Sequence, residues 1–306
     1  MTQPRTLLVI DVGGTSVKFA ASVDARPQDY VRQFSSVALR EADPVQALAS
    51  MTRQVLAESG LQPEVIVSTV PGFLDVDEDR VLFAGNILAL NGRRLASELC
   101  ALVGLPVVLE RDAVLALIGE TVAGAARGAR RALGLFFGTG VGAAYVEDGR
   151  PFRGAGWALE IGHMPFKGAG RQLEGMRKDV LEAYVSGRAL QMMADRHGVA
   201  IERVFVERDS RPALDRDLDE FVRDQAFAIG TAVTLFSPEV TLLGGGLCEM
   251  AGFPRQRLAE LVQANAPYAE TGRPMQLRWA ELGWRSALHG APLAVQAHRQ
   301  RQAAAV

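Results

Sequence analysis

One local pattern occurs twice in this chain. Leu7-Leu-Val-Ile10 runs through Asp11 into Gly13-Gly-Thr15 and continues as Val17–Val23. Leu133-Gly-Leu-Phe-Phe137 runs into Gly138-Thr-Gly-Val-Gly142 and continues as Ala143–Val146 before Glu147-Asp-Gly149. Each copy reads as a buried strand, a turn without side-chain bulk, and a return strand. A repeat of this kind implies two related halves, each opening on a hairpin.

Strands and helices alternate between and after the hairpins, which implies an α/β fold. Asp43–Gly60 has helical spacing: Val45, Leu48, Met51, Val55 and Leu56 fall near one face, and Gly60 is the stop. Glu64–Val70 reads as a strand ending at Pro71-Gly72, Arg94–Val103 as a helix stopped by Gly104, and Pro106–Leu109 as a buried strand ending at Glu110-Arg-Asp112. Ala113–Ala126 reads as a helix. In the second half a Gly-rich stretch, Gly154–Gly170, precedes a long helical region through Asp179–Arg196 and a further helix, Leu214–Phe236, broken by Pro238. Glu239–Leu243 is a buried strand before Gly244-Gly-Gly246. Arg299–Val306 reads as a frayed helix end or disordered tail.

Composition narrows the function classes. The chain has 306 residues, 48% of them hydrophobic, enough for more than one average domain. A net charge of -2 implies no broad basic face, so nucleic acid is not expected as a partner. Cys100 and Cys248 form no C-x-x-C pair and read as two buried thiols, without a disulfide framework or a cysteine zinc site. No apolar run reaches the ~18 residues of a membrane span. Nothing near Met1 resembles a signal peptide. A cytoplasmic protein is expected.

A glycine turn lets backbone N–H groups approach an anion, and Thr15 and Thr139 add hydroxyl donors. No G-x-x-x-x-G-K-[ST] occurs, so this is not a P-loop. The turns lead into strands rather than opening helices, which argues against a dinucleotide-binding fingerprint and a Rossmann-type oxidoreductase. Asp11 ends a strand at the first turn, where a carboxylate either orients hydrated Mg²⁺ or satisfies its own backbone. Asp112, at a strand–helix junction, is either an N-cap or a general base toward an attacking hydroxyl. Glu160 and His163 lie three apart in a small-residue loop. Glu182 reads by default as a solvated helix residue.

Together these residues resemble the ROK family of sugar kinases, repressors and open reading frames, over the span from Leu7 to about Ala294. Asp11-Val-Gly-Gly-Thr15 resembles the family's first phosphate motif and Gly138-Thr-Gly-Val-Gly142 its second. Gly154-Ala-Gly-Trp-Ala-Leu-Glu-Ile-Gly-His163 is similar to the family signature, and Leu181-Glu-Ala-Tyr-Val-Ser-Gly187 to the segment after the family's zinc loop. Leu242-Leu-Gly-Gly-Gly246 resembles the adenosine motif, and Gly290-Ala291 a pair near the family's C-terminus. The resemblance implies an actin-like ATPase fold of two ribonuclease-H-like lobes with a cleft between them, usually dimeric. The implied lobes are residues 1–112 and 113–287, with a C-terminal helix at about 288–306 returning to the first.

The resemblance further implies an ATP- and Mg²⁺-dependent kinase acting on a hexose or hexose derivative, at O6, with Asp112 as catalytic base. Gly72, Asn86, Arg111, Glu160, His163 and Glu182 become sugar-site residues. Asp11, Gly13, Gly14, Thr15, Lys18, Gly138, Thr139, Gly140, Gly244, Gly245 and Gly246 become the ATP site, with Asp11 reaching Mg²⁺ through water. Two features depart from the family. It commonly has Asn-Asp-Ala-Asn around the base, where this chain has Arg111-Asp-Ala-Val114, closer to the allose kinase branch than to the glucokinases. The family also follows its His with three Cys, and Met164–Val180 has none, so no structural zinc is expected. Two further members of the resemblance compete with the kinase. A repressor would need a DNA-binding domain ahead of the first phosphate motif, for which about ten residues leave no room. A sugar- or nucleotide-binding protein without catalysis would not need Asp112.

Overall fold

The computed structural model describes residues 5–70, 72–75 and 79–304. Pro71, expected to close a strand, and the last two residues of the tail lie outside them. Two compact units emerge. The first comprises the described residues up to Gly128, with Gly149–Ala158 and those from Glu281 onward; the second comprises Ala129–Asp148 and Leu159–Ala280.

The first unit is built on β1 (Thr6–Val12), β2 (Ser16–Val23), β3 (Arg26–Ser35), β4 (Val65–Val70) and β5 (Val107–Arg111), in the sheet order β3-β2-β1-β4-β5. β2 runs antiparallel to β1, and β4 and β5 follow in parallel. Alternation along β1 sends Leu8 and Ile10 to one face and Leu7 and Val9 to the other. The first face is covered by α1 (Pro44–Ser59) and α2 (Leu95–Val103). α1 starts where Asp43 accepts from the N–H groups of Val45 and Gln46, and stops at Gly60, whose φ of 65° suits a residue without Cβ. The second face is covered by α3 (Asp112–Ala123) and the C-terminal helix Ser286–Ala304, through Leu115, Leu288, Ala291 and Val295.

These two helices meet backbone to backbone. A Cβ at Gly119 would lie 1.9 Å from the Ser286 carbonyl oxygen, and one at Gly290 would lie 2.4 Å from that of Leu115. The Gly290-Ala291 pair is therefore a helix-crossing feature. Buried Glu120 fixes the approach to this helix by accepting from the N–H groups of Ala125, Glu281 and Leu282.

The second unit repeats the plan with β6 (Arg131–Phe137), β7 (Val141–Glu147), β8 (Val240–Gly244) and β9 (Leu277–Trp279), in the order β7-β6-β8-β9. β7 is again antiparallel to its partner, and β8 and β9 are parallel. α4 (Gly187–His197), α5 (Pro212–Phe236) and α6 (Arg255–Asn265) complete it. The repeat seen in the sequence is thus a repeat of hairpin and sheet order.

Several expectations need correction. The long helical region through Asp179–Arg196 is two pieces, Glu182–Val185 and α4, because Ser186 takes an extended conformation (φ -90°, ψ 169°) and caps α4 through Ala189 N–H. The strand expected over Pro106–Leu109 continues to Arg111, and the following helix starts at Asp112. Contacts group α3 with the first unit, whose boundary falls at Gly128 rather than Asp112. The tail is helical through Ala304, and Cys100 is half-buried while Cys248 is buried. β3 and β9 carry too little apolar alternation to announce themselves. Among the described residues no helix is long and apolar enough to cross a membrane.

Candidate active site

In the first unit, Gly13 N–H donates to the Ser16 carbonyl (2.9 Å), closing the turn between β1 and β2. The turn's own carbonyls are drawn into the protein. Ser36 Oγ (2.7 Å) and Arg40 (3.0 Å) donate to Gly14 O, and Ser36 N–H donates to Thr15 O (3.2 Å). With its acceptors engaged by protein donors, what the turn offers a ligand is N–H, which suits an anion. Thr69 Oγ1 accepts from Val12 N–H (2.8 Å) and donates to Asp11 Oδ1 (3.2 Å). Lys18 stands opposite Asp11 in the hairpin register, its ammonium 5.3 Å from the centre of the Trp284 ring.

β5 carries Glu110 and Arg111 into the interior, at 1% and 3% exposure, then releases Asp112 as the exposed first residue of α3. Arg111 occupies the cap position, so the N-cap reading of Asp112 does not hold; its Oδ1 accepts from Ala113 N–H at 2.7 Å. A carboxylate in the first turn is favoured by the helix dipole. Burial, then the charge of Asp112, raise the pKa of Asp11 above the ordinary carboxylate value, against Lys18 and the Thr69 hydrogen bond. Asp11 and Asp112 therefore share one electrostatic neighbourhood.

The two buried residues before Asp112 tie down the signature loop. Arg153 pairs with Glu110, and Arg111 Nη1 donates to the Ala158 carbonyl (2.6 Å). Arg111, expected at the sugar site, thus orients the chain leading to Glu160. Gly72 has φ 124° and sits where a Cβ would lie 2.1 Å from Phe83 O, so only glycine fits. Asn86 is half-buried in a turn.

In the second unit, Leu159 adopts φ 64°, strained for a residue with a branched side chain, immediately before Glu160. A single 3₁₀ turn, Ile161–His163, then brings His163 N–H to the Glu160 carbonyl (3.0 Å). Burial holds the His163 pKa below its usual value, against the opposing charge of Glu182, so the ring is neutral at pH 7. Glu182 is buried, contrary to its default reading as a solvated helix residue. Its Oε2 accepts from Val141 N–H (2.9 Å) and its Oε1 from Arg188 (2.5 Å). A Cβ on Gly140 or Gly162 would fall 2.6 or 2.9 Å from Oε2. The turn at Gly138–Gly140, the signature loop and Glu182 thereby converge.

That turn also has its carbonyls drawn inward: Gly187 N–H donates to Gly138 O (2.8 Å) and Arg188 N–H to Thr139 O (3.2 Å). A cavity of about 390 Å³ opens beside it, lined by Gly138, Thr139, Gly187, Arg188, Gln191, Ile201, Gly246 and Leu247. Gly245 (φ 93°) lies where a Cβ would be 2.4 Å from Phe137 O, and Gly246 leaves open space toward the cavity. Arg153, Gly187 and Arg188 were missed by sequence reasoning. Ser186-Gly187 could have betrayed a helix start, but it lay inside what read as one continuous helix.

The comparisons agree with this architecture. The model of the ROK family matches residues 7–298. The N-acetylgalactosamine kinase AgaK of Shewanella sp. (strain ANA-3) is 27% identical over 299 residues, covering 93% of this chain and 94% of that protein. Among solved structures, the ROK hexokinase of Thermus thermophilus superposes with a TM-score of 0.78 at 27% identity, covering 97% and 99% of the two chains. A ROK family glucokinase from Streptomyces griseus, in complex with glucose and AMPPNP, gives 0.77 at 25% identity, covering 96% and 99%. The fold is that of the actin-like ATPases, two ribonuclease-H-like units in one chain. With 292 of its residues spanned by the family model, the chain belongs to the ROK family.

Proposed function

We propose that this protein is an ATP-dependent sugar kinase that phosphorylates a hexose or N-acetylhexosamine at its primary hydroxyl, O6. The observation that carries the reading is the exposed Asp112 carboxylate, released at the first turn of α3 beside Asp11. The acceptor class is supported by the similar N-acetylgalactosamine kinase, hexokinase and glucose-bound glucokinase, and the donor by AMPPNP in the last of these.

In this reading Asp112 takes the proton of the attacking hydroxyl. A bond forms from the sugar oxygen to the γ-phosphorus, the bond to the β-phosphate oxygen breaks, and ADP leaves. The N–H sides of Gly13–Thr15 and Gly138–Gly140 hold phosphate oxygens, and the cavity beside Thr139 and Gly246 takes the nucleoside. Glu160 and neutral His163, in the second unit, hydrogen-bond hydroxyls of the sugar. Asp11 suits a hydrated Mg²⁺: the charge of Asp112 raises the Asp11 pKa, a repulsion that a cation would relieve. When bound, Mg²⁺ neutralises phosphate charge. Lys18 and Arg188 bring positive charge to the two turns.

The test is ADP release with Mg-ATP across hexoses and N-acetylhexosamines, run beside Asp112→Asn. Turnover with one sugar, reduced by about 10³-fold or more in the variant while sugar binding persists, is the expected result. Equal turnover in the variant would remove Asp112 as base. Binding without turnover by the wild type would leave a non-catalytic sugar or nucleotide binder.

A further inference from the structure

The loop Met164–Val180 occupies the place of the family's zinc loop, yet its residues do not fit that metal. It contains no cysteine, and no group of three His, Cys, Asp or Glu among the described residues could hold an ion. Something else must offset the conformational entropy of ordering it. We propose that Tyr184 does so: its phenol gathers the loop as a metal would, with Asp179 and Lys167 as its partners, and so positions His163 without zinc.

The loop is closed at its base by backbone pairs. Pro165 bridges Val180, Leu181 N–H donates to Met164 O (2.9 Å), and Phe166 N–H donates to Asp179 O (2.8 Å). The Tyr184 side chain, fully buried, stands at the centre of what remains. Its oxygen lies 2.7 Å from the Lys167 carbonyl, accepts from Ala169 N–H at 3.3 Å, and contacts the Asp179 carboxylate. Two of those contacts come from the first third of the loop and one from its end, so the phenol ties the outgoing and returning segments together, a task that ligands share around a tetrahedral ion. Asp179 Oδ1 also accepts from Arg171 N–H (3.1 Å). The ring is gripped on its faces and edge: Phe166 packs T-shaped at 5.4 Å, and the Arg171 guanidinium lies 4.8 Å from the ring centre.

Lys167 then fastens the assembly to α5. Its ammonium pairs with Glu220 (2.9 Å) and with buried Asp224 (2.5 Å). A buried carboxylate whose cations, Lys167 and Arg171, both come from the loop is specific in position, because moving the loop would strand the charge. Arg177, within the same loop, donates to the His163 carbonyl at 2.9 Å, which passes the loop's order to the acceptor residue.

The inference rests on His163 serving the sugar, and the tests separate the two claims. Purified full-length protein is assayed for zinc by mass spectrometry, and its melting is followed with and without EDTA. Zinc below about 0.1 per chain and an unchanged Tm are expected; a chelator-sensitive Tm with zinc near one per chain overturns the proposal. Tyr184→Phe keeps the ring and removes the oxygen. It is expected to raise the sugar KM by about tenfold while the ATP KM stays within about twofold, and to speed amide exchange selectively in residues 164–181. Unchanged exchange in that loop would overturn it. If the wild type phosphorylates no sugar, the kinase reading fails, and metal content and exchange still decide the loop.

Discussion

The two glycine turns open the same kind of hairpin but close differently and rest on different supports. The first, at Gly13–Thr15, is held by side chains: Ser36 and Arg40 on Gly14 O, and Thr69 bridging Val12 and Asp11. The second, at Gly138–Gly140, is held by backbone and by the absence of side chains. Gly187 and Arg188 N–H groups reach its carbonyls, and Gly140 and Gly162 leave room for Glu182. Charge follows the same division. At the first turn the hairpin's own strands carry the charges, Asp11 facing Lys18, whereas the charged pair beside the second, Glu182 and Arg188, comes from outside its hairpin. One duplicated hairpin has thus diverged into an ionic half and a steric half. A steric support fails as a whole when one atom is added, while a hydrogen-bonded support weakens one bond at a time.

The steric half gives the largest expected effect. A Cβ at Gly187 would stand 2.7 Å from Gly138 O and 3.3 Å from Thr139 Cα, both backbone atoms that cannot step aside. Gly187→Ala should cost about 1–3 kcal/mol in denaturant unfolding and raise the ATP KM. Gly138→Ala is the control, since nothing lies within 4 Å of its Cβ position. It should unfold like the wild type yet still raise the ATP KM, because Gly138 lines the cavity proposed for the nucleotide. Equal stability in the two variants would refute the steric account.

How much of this was legible in sequence follows the same line. The hairpins, α1 with its Gly60 stop, and the buried strands were legible because apolar period and turn chemistry are local. Glu182 was not. Its burial comes from Gly140 and Gly162, 42 and 20 residues earlier, and a helix-like stretch hid the Ser186 break. Arg111 stood out as a departure from the family, yet its partner, the Ala158 carbonyl, is set by tertiary folding. Residue types that carry chemistry were visible; which atoms satisfy them was not.

The ionic half gives the second prediction, in which activity and stability move in opposite directions. Burial and Asp112 raise the Asp11 pKa, so the folded state holds that proton more tightly than the unfolded chain does. Stability from this group is complete below its ordinary value of 3.8 and is lost as pH rises through the raised folded value. At pH 7 Asp11 therefore costs folding stability relative to a neutral side chain in its place. Asp11→Asn, which retains an oxygen for Thr69, should be at least as stable as the wild type at pH 7, with the difference fading toward pH 3. Its phosphoryl transfer should nonetheless fall sharply. A destabilised Asp11→Asn at pH 7 would mean that Lys18 outweighs burial.

The smallest effect belongs to Ser36→Ala, and it bears most directly on the division between the turns. Ser36 supports the first turn through two atoms: its hydroxyl bonds Gly14 O, and its N–H bonds Thr15 O. The substitution removes only the hydroxyl. Arg40 still donates to Gly14 O at 3.0 Å, so that carbonyl is not stranded. The loss should be about 0.5–1 kcal/mol, at the low end for a hydrogen bond, with the ATP KM changed by less than about threefold. Adding Arg40→Ala withdraws the second donor, and the pair should cost more than the sum of the single losses, because the turn's carbonyl then has no side-chain donor. Strict additivity would show that water replaces both donors freely. The first turn would then owe its shape to the Gly13–Ser16 closure and the hairpin alone, and the contrast with the second turn would narrow to the charges of Asp11 and Lys18.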